Sequence, residues 1–145
     1  MSDSVIKTKP VTIFVVDDDD IDVMSIERAL KKLKNVNPML RAKDGAEALE
    51  MLTQKTVPRP YIILLDINMP RLNGLDLLKQ LRADPDILDA VVFMFTTSKD
   101  EKDKKSAYKQ HVAGYVVKEH VGDGVMNVVE MLDSYCRAVE FPIAD

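Results

Sequence analysis

The sequence has little of what builds thiolate metal sites, disulfides or membrane spans. It holds one cysteine, Cys136, and two histidines, His111 and His120. A lone cysteine excludes an internal disulfide and suits a reducing compartment, so a cytoplasmic protein is expected. Neither histidine has a partner at metal-ligand spacing, which argues against zinc and leaves both as surface or loop residues. No apolar run approaches the roughly 20 residues of a membrane span. The opening MSDSVIKTKP lacks the pattern of a secretory signal and reads as a polar tail. Positive charge is not in excess either. Against 24 Asp+Glu stand 20 Lys+Arg, a net charge of −4 that disfavours general nucleic-acid binding. Internal repeats and low-complexity segments are absent.

What is present is a globular composition, 46% apolar and 30% charged over 145 residues, the size of one domain. Short β-rich runs alternate with longer helical ones. Strands are expected at residues 11–16, 39–44, 61–67, 90–95 and 113–117, the second the weakest. Helices are expected at residues 21–34, 45–54, 73–83, 98–111 and 124–141. In the first helix Ile21, Met24, Ala29 and Leu33 fall near helical spacing, and Met24, Met51, Met94 and Met131 read as core filler. Strands without polar alternation imply a parallel sheet covered on both faces. The expected fold is therefore a three-layer α/β domain, a doubly wound (βα)5 with five parallel strands. Its boundaries are residues 11–140, with tails at 1–10 and 141–145. The final FPIAD is too short to fold into an output domain.

In such sheets chemistry gathers beyond the carboxyl ends of the strands. The first strand runs into Asp17 and Asp18, the third into Asp66, the fourth into Thr96 and the fifth into Lys118. Three clustered carboxylates repel: at about 4 Å and an effective dielectric near 20, each pair costs about 4 kcal/mol. Oxygen-only ligands with that charge suit Mg²⁺. A carboxylate nucleophile, a metal and a lysine are what phosphoryl transfer requires, and a threonine hydroxyl adds one hydrogen bond. Asp19 and Asp20 read differently, as solvent-facing caps of the first helix.

These residues resemble the response-regulator receiver family over roughly residues 11–139. VVDDDD is similar to the family's acidic pair, and LLDINMPRLNG to its phosphoacceptor segment, with Met69, Pro70 and Gly74 in place. The resemblance implies strand order 2-1-3-4-5, Asp66 as phosphoacceptor, and a Mg²⁺ site of Asp17, Asp18, Asp66 and the Asn68 backbone carbonyl. It implies Thr96 as switch hydroxyl, Tyr115 as switch aromatic and Lys118 as the phosphoryl-facing lysine, with Asn68 and Ser98 tuning the rate. The run FTTS at residues 95–98 resembles stand-alone regulators paired with phytochrome-type histidine kinases. One departure stands out: Glu119 follows Lys118 where the family has proline. A cis bond before a non-proline residue costs about 3–4 kcal/mol, so a trans bond or a rearranged loop is expected, with Glu119 competing for Lys118.

The function implied is a single-domain response regulator. It takes a phosphoryl group from a sensor histidine kinase and signals through a changed protein-binding face. Its output would be a downstream protein, a phosphotransfer protein or a second copy of the chain, with no nucleic acid and no membrane. Lys99, Lys102, Lys104, Lys105 and Lys109 offer either a docking patch or a solvated helix face. Three other readings compete: a haloacid-dehalogenase-like phosphatase using Asp17, a flavin-binding protein, and an inactive receiver kept for binding. The first lacks the Gly-Thr and later acidic pair it needs, and the second is opposed by four carboxylates in the first loop.

Overall fold

The computed structural model describes residues 10–118 and 124–142. The expectations for Glu119, His120, the tail before Pro10 and the last three residues lie outside the described residues. Ten elements alternate along the chain: β1 (Thr12–Val16), α1 (Asp20–Lys32), β2 (Met39–Ala42), α2 (Gly45–Thr53), β3 (Tyr61–Leu65), α3 (Gly74–Ala83), β4 (Val91–Thr96), α4 (Glu101–Lys109), β5 (Gly114–Val117) and α5 (Gly124–Ala138). All neighbouring strands pair in parallel, in the order β2-β1-β3-β4-β5. This is the three-layer fold that the alternation and the resemblance imply.

The period of two along each strand sorts the side chains into two cores. Ile13, Val15, Ile62, Leu64, Phe93 and Phe95 face α1 and α5, while Phe14, Val16, Ile63, Leu65, Val92 and Met94 face α2, α3 and α4. Each helix then needs only one apolar stripe. On α1 that stripe is Val23, Ile26, Ala29 and Leu30, and its larger residues contribute about 1.5–3 kcal/mol each.

Here the structure corrects the helical face read from the sequence. Ile21 is 74% exposed and Met24 56% exposed, so Met24 is not core filler. A helix of 3.6 residues per turn places one stripe inward, and Val23-Ile26-Leu30 at spacings of three and four wins it. Met94 is buried, whereas Met51 and Met131 are half-buried against the two cores. Phe141 packs against this chain's own α5: its ring meets Tyr135 at 6.2 Å, and Tyr135 meets Phe93 edge-on at 5.2 Å. Cys136 is half-buried and free. Burial, with Asp133 nearby, pushes its thiol up to about 11.

Three helices end in the same way. After α1, α2 and α4 the chain takes a left-handed residue at Lys34, Lys55 and His111, with φ of 53°, 59° and 62°. The amides of these residues and of the next ones return to carbonyls of the last turn, for example Lys34 to Lys31 and Asn35 to Leu30, both at 3.0 Å. That double bond pattern is the Schellman motif, which usually carries glycine.

Candidate functional site

The loops leaving β1, β3, β4 and β5 share one edge of the sheet. The ladder extends past the strands, with the Asp66 amide donating to the Val16 carbonyl at 3.0 Å and the Asp17 amide to Ala42 at 3.1 Å. Both aspartates are thus held by backbone before their side chains act. Arg41 on β2 adds a clamp: its guanidinium donates twice to the Asp17 carbonyl, at 2.9 and 3.0 Å, and pairs with Asp20 at 2.7 Å. Asp19 caps α1, its side chain accepting from the amides of Ile21 and Asp22. The four-aspartate run divides, but the expected second cap, Asp20, is the first residue of α1, paired with Arg41 rather than capping. Asp17 turns in, Asp19 caps, and Asp20 lies outside on the first turn.

One oxygen each from Asp17, Asp18 and Asp66 lies within 4.8 Å of the others. Asp17 and Asp66 are buried, at 2% and 6% exposure, and Asp18 is exposed. Lys118 points its ammonium into this group, 2.9 Å from Asp17 and 3.4 Å from Asp66, with Asp22 of α1 at 2.7 Å. The ammonium also sits 5.4 Å from the centre of the Phe95 ring.

Burial dominates the ionisation of the site. It pushes Asp17 up to about 6, against hydrogen bonds from Lys118 and the Asp19 amide, with the charge of Asp66 adding to the rise. Asp66 is raised by burial in the same way, opposed by Lys118, by a hydrogen bond from the Thr96 hydroxyl and by the Ile67 amide. Burial alone would lower Lys118, but its bonds to Asp22 and Asp17 and the charge of Asp66 prevail and raise it. One ammonium faces Asp17, Asp22 and Asp66, with Asp18 beside them, so the carboxylates outnumber it. Two buried oxygen donors, a third at the rim and an uncompensated negative charge fit a hard divalent cation.

The loop after β3 is set by close backbone contact. The Gly74 amide donates to the Ile67 carbonyl at 2.9 Å, and a Cβ on Gly74 would lie 2.1 Å from the Asp66 carbonyl oxygen. Only glycine lets α3 start this close to Asp66. Gly45 plays the same part for α2, where a Cβ would meet the Leu72 carbonyl oxygen at 2.1 Å. Arg71, at φ 69°, pairs with Asp44 at 2.9 Å across the same loop.

The remaining sequence-named residues divide. Thr96 is fully buried at the end of β4, beside Asp66. Tyr115 is half-buried on β5 and donates its hydroxyl to the Ser98 carbonyl at 2.9 Å, tying β5 to the loop before α4. Asn68 is exposed. The Ser98 hydroxyl is drawn to Asp103 of α4 at 2.6 Å. Sequence reasoning missed Asp22 and Arg41. Arg41 carried one readable signal, a charge within the otherwise apolar β2, whereas Asp22 is one of several charges on α1 and nothing local set it apart.

Five parallel strands in this order, with clustered acids facing a lysine at the strand ends, define a receiver-type phosphorylation domain. The response regulator receiver domain family matches residues 13–130, and the chain belongs to that family. Response regulator Rcp1 of Synechocystis sp. (strain ATCC 27184 / PCC 6803 / Kazusa) is 30% identical over 140 residues, covering 93% of this chain and 95% of that one. The crystal structure of the Mn(2+)-bound form of Rcp1 superimposes with a TM-score of 0.83 at 29% identity, over 92% of this chain and 100% of that one. The phosphorylated cyanobacterial phytochrome response regulator RcpA gives 0.82 at 27% identity, over 92% of this chain and 98% of that one.

The chain is accordingly a response regulator of two-component signalling, a receiver domain phosphorylated on aspartate. Such domains take the group from sensor histidine kinases and bind Mg²⁺ or Mn²⁺ in an acidic pocket. The phosphatase, flavin and binding-only readings give way to it. Among the described residues no helix is long and apolar enough to cross a membrane.

Proposed function

We propose that Asp66 is the phosphoacceptor and that Asp17, Asp18, Asp66 and the Asn68 carbonyl hold Mg²⁺. The observation that carries this reading is the placement of Lys118 within 3.4 Å of both buried strand-end carboxylates, with Asp18 completing the group. In the transfer an Asp66 oxygen bonds to phosphorus as the P–N bond of a phosphohistidine breaks. The electron pair of that bond stays on the imidazole nitrogen, and the product is an acyl phosphate. Lys118 neutralises the phosphoryl oxygens, and the Thr96 hydroxyl, already beside Asp66, turns to one of them. Mg²⁺ held by these residues would supply further positive charge to the transferring group.

Output follows from Thr96 and Tyr115. Movement of Thr96 shifts the 97–100 loop, to which the Tyr115 hydroxyl is tied through Ser98, and so alters the face formed by α4, β5 and α5. That face serves a downstream protein, a phosphotransfer protein or a second copy of the chain. Likeness to phytochrome response regulators supports a phytochrome-type kinase as donor, in the cytoplasm. Asn68 and Ser98 tune the lifetime from the rim. Treatment with a small phosphodonor and Mg²⁺ should add one phosphoryl group by mass, and Asp66→Asn should abolish it. Undiminished uptake in Asp66→Asn with loss only in Asp17→Asn would sink this reading.

A further inference from the structure

Lys118 is surrounded by three carboxylates, and one of them has no part in the chemistry described above. Asp22 makes the shortest of the three contacts, 2.7 Å, against 2.9 Å for Asp17 and 3.4 Å for Asp66. It stands on the first turn of α1, where the Asp19 cap bonds its amide at 3.3 Å and sets the rotation of that turn. That rotation sends Ile21 out to solvent and Asp22 in toward β5, its side chain only 27% exposed. Asp22 is not among the carboxylates that converge within 4.8 Å as a metal-capable group.

An ammonium has three N–H donors, and here three carboxylates stand within ion-pair distance of it. Two of the three acceptors have other duties. Asp17 belongs to the metal-capable group, and Asp66 must present an oxygen to phosphorus. Asp22 alone is free to keep its bond to Lys118 throughout. We infer that Asp22 is a positioning residue for phosphoryl transfer, anchoring the Lys118 ammonium over the site from the α1 side while Asp17 and Asp66 change partners. The inference rests on Asp66 being the phosphoacceptor.

The alternative is an ordinary ion pair at a rim, which contributes little to anything. Loss of a residue that orients a site group costs about tenfold or more in activity, and the test is set at that scale. Wild type, Asp22→Asn and Asp22→Glu are compared for the initial rate of phosphorylation over a range of phosphoramidate concentrations. A second readout uses metal-free protein without donor, the NMR signal of the Lys118 ammonium, which is protected from exchange only while its bonds hold. Asp22→Asn should lower the saturating rate about tenfold, with half-saturation by donor unchanged or lower because a negative charge has gone. It should also broaden the Lys118 signal, and Asp22→Glu should recover most of both. The melting midpoint reports folding of each variant. Wild-type rate and signal in Asp22→Asn, or a loss that Asp22→Glu fails to recover, overturns the inference. Failure of the phosphoacceptor reading looks different: the wild type takes up no phosphoryl group, or Asp66→Asn takes it up undiminished, and the inference falls with it.

Discussion

Lys118 lies nearer to Asp17, at 2.9 Å, than to Asp66, at 3.4 Å, although Asp66 is the residue whose phosphoryl group it is proposed to neutralise. Before phosphorylation the lysine is chiefly a counter-charge for buried acids. Two consequences follow for the metal-free protein. Lys118→Met should destabilise it by about 3 kcal/mol, because removing one partner strands buried charge. Asp17→Asn should stabilise it by about 1–3 kcal/mol, because an acid raised to about 6 is costly to keep ionised at neutral pH. Urea denaturation without divalent ions checks both, and destabilisation by Asp17→Asn would contradict the account.

The same raised acid sets a pH dependence. The folded pKa of Asp17, about 6, lies above its ordinary value of 3.8, so the folded state binds the proton more tightly than the unfolded state does. The stability this contributes is complete below about 3.8 and is lost as pH rises through about 6. Asp66 is shifted in the same direction. Lys118, raised above its ordinary 10.5, is protonated in both states across that window and does not alter the slope. Metal-free melting temperature should therefore fall between about pH 4 and pH 6, and Mg²⁺ affinity should rise over the same range with proton release. Calorimetry in buffers of different ionisation enthalpy measures that release, and a pH-independent Mg²⁺ affinity would rule it out.

Gly74→Ala should damage the site as well as the fold. The added Cβ would press on the Asp66 carbonyl oxygen at 2.1 Å, a backbone atom that cannot step aside. A loss of about 1–3 kcal/mol is expected, as for overpacking, with phosphorylation falling further than stability because Asp66 itself is displaced. Equal stability and equal phosphorylation would show that α3 does not set this loop.

Lys34→Gly and Lys55→Gly should each stabilise the protein by about 0.5–1 kcal/mol. Both positions are exposed, both close Schellman motifs, and both hold a side chain in the left-handed region. Among the described residues the ends of α1 and α2 share no hydrogen-bond partner, so the two gains should add. Phosphorylation should be untouched. An unchanged urea midpoint in both variants would mean that the helix ends relieve this strain by other means.

The sites of strands and acids were readable in the sequence because each depends on a short segment. Runs such as TIFVV and YIILL are apolar without alternation, which requires burial on both faces, and each leads into an aspartate at its carboxyl end. Asp19 as a cap was readable for the same reason, since a cap concerns its own next two or three amides. The inward face of α1 was not. Ile21 and Met24 satisfy helical spacing as well as Val23 and Ile26 do, and the docking of α1 on the sheet decides between them. Strand order came from family resemblance, because periodicity alone does not order parallel strands.

By itself, then, the sequence determined the alternation of strands and helices, the gathering of Asp17, Asp18, Asp66, Thr96 and Lys118 at strand ends, and the Asp19 cap. These are consequences of side-chain period and local hydrogen bonding. Tertiary structure alone decided that Lys118 is shared among Asp17, Asp22 and Asp66, that Arg41 clamps the Asp17 carbonyl, and that Tyr115 is tied to the Ser98 carbonyl. Each of these joins elements far apart in the chain, at distances set by how helices pack on the twisted sheet. A change of a few ångströms in that packing would leave every local signal intact and give the lysine a different partner.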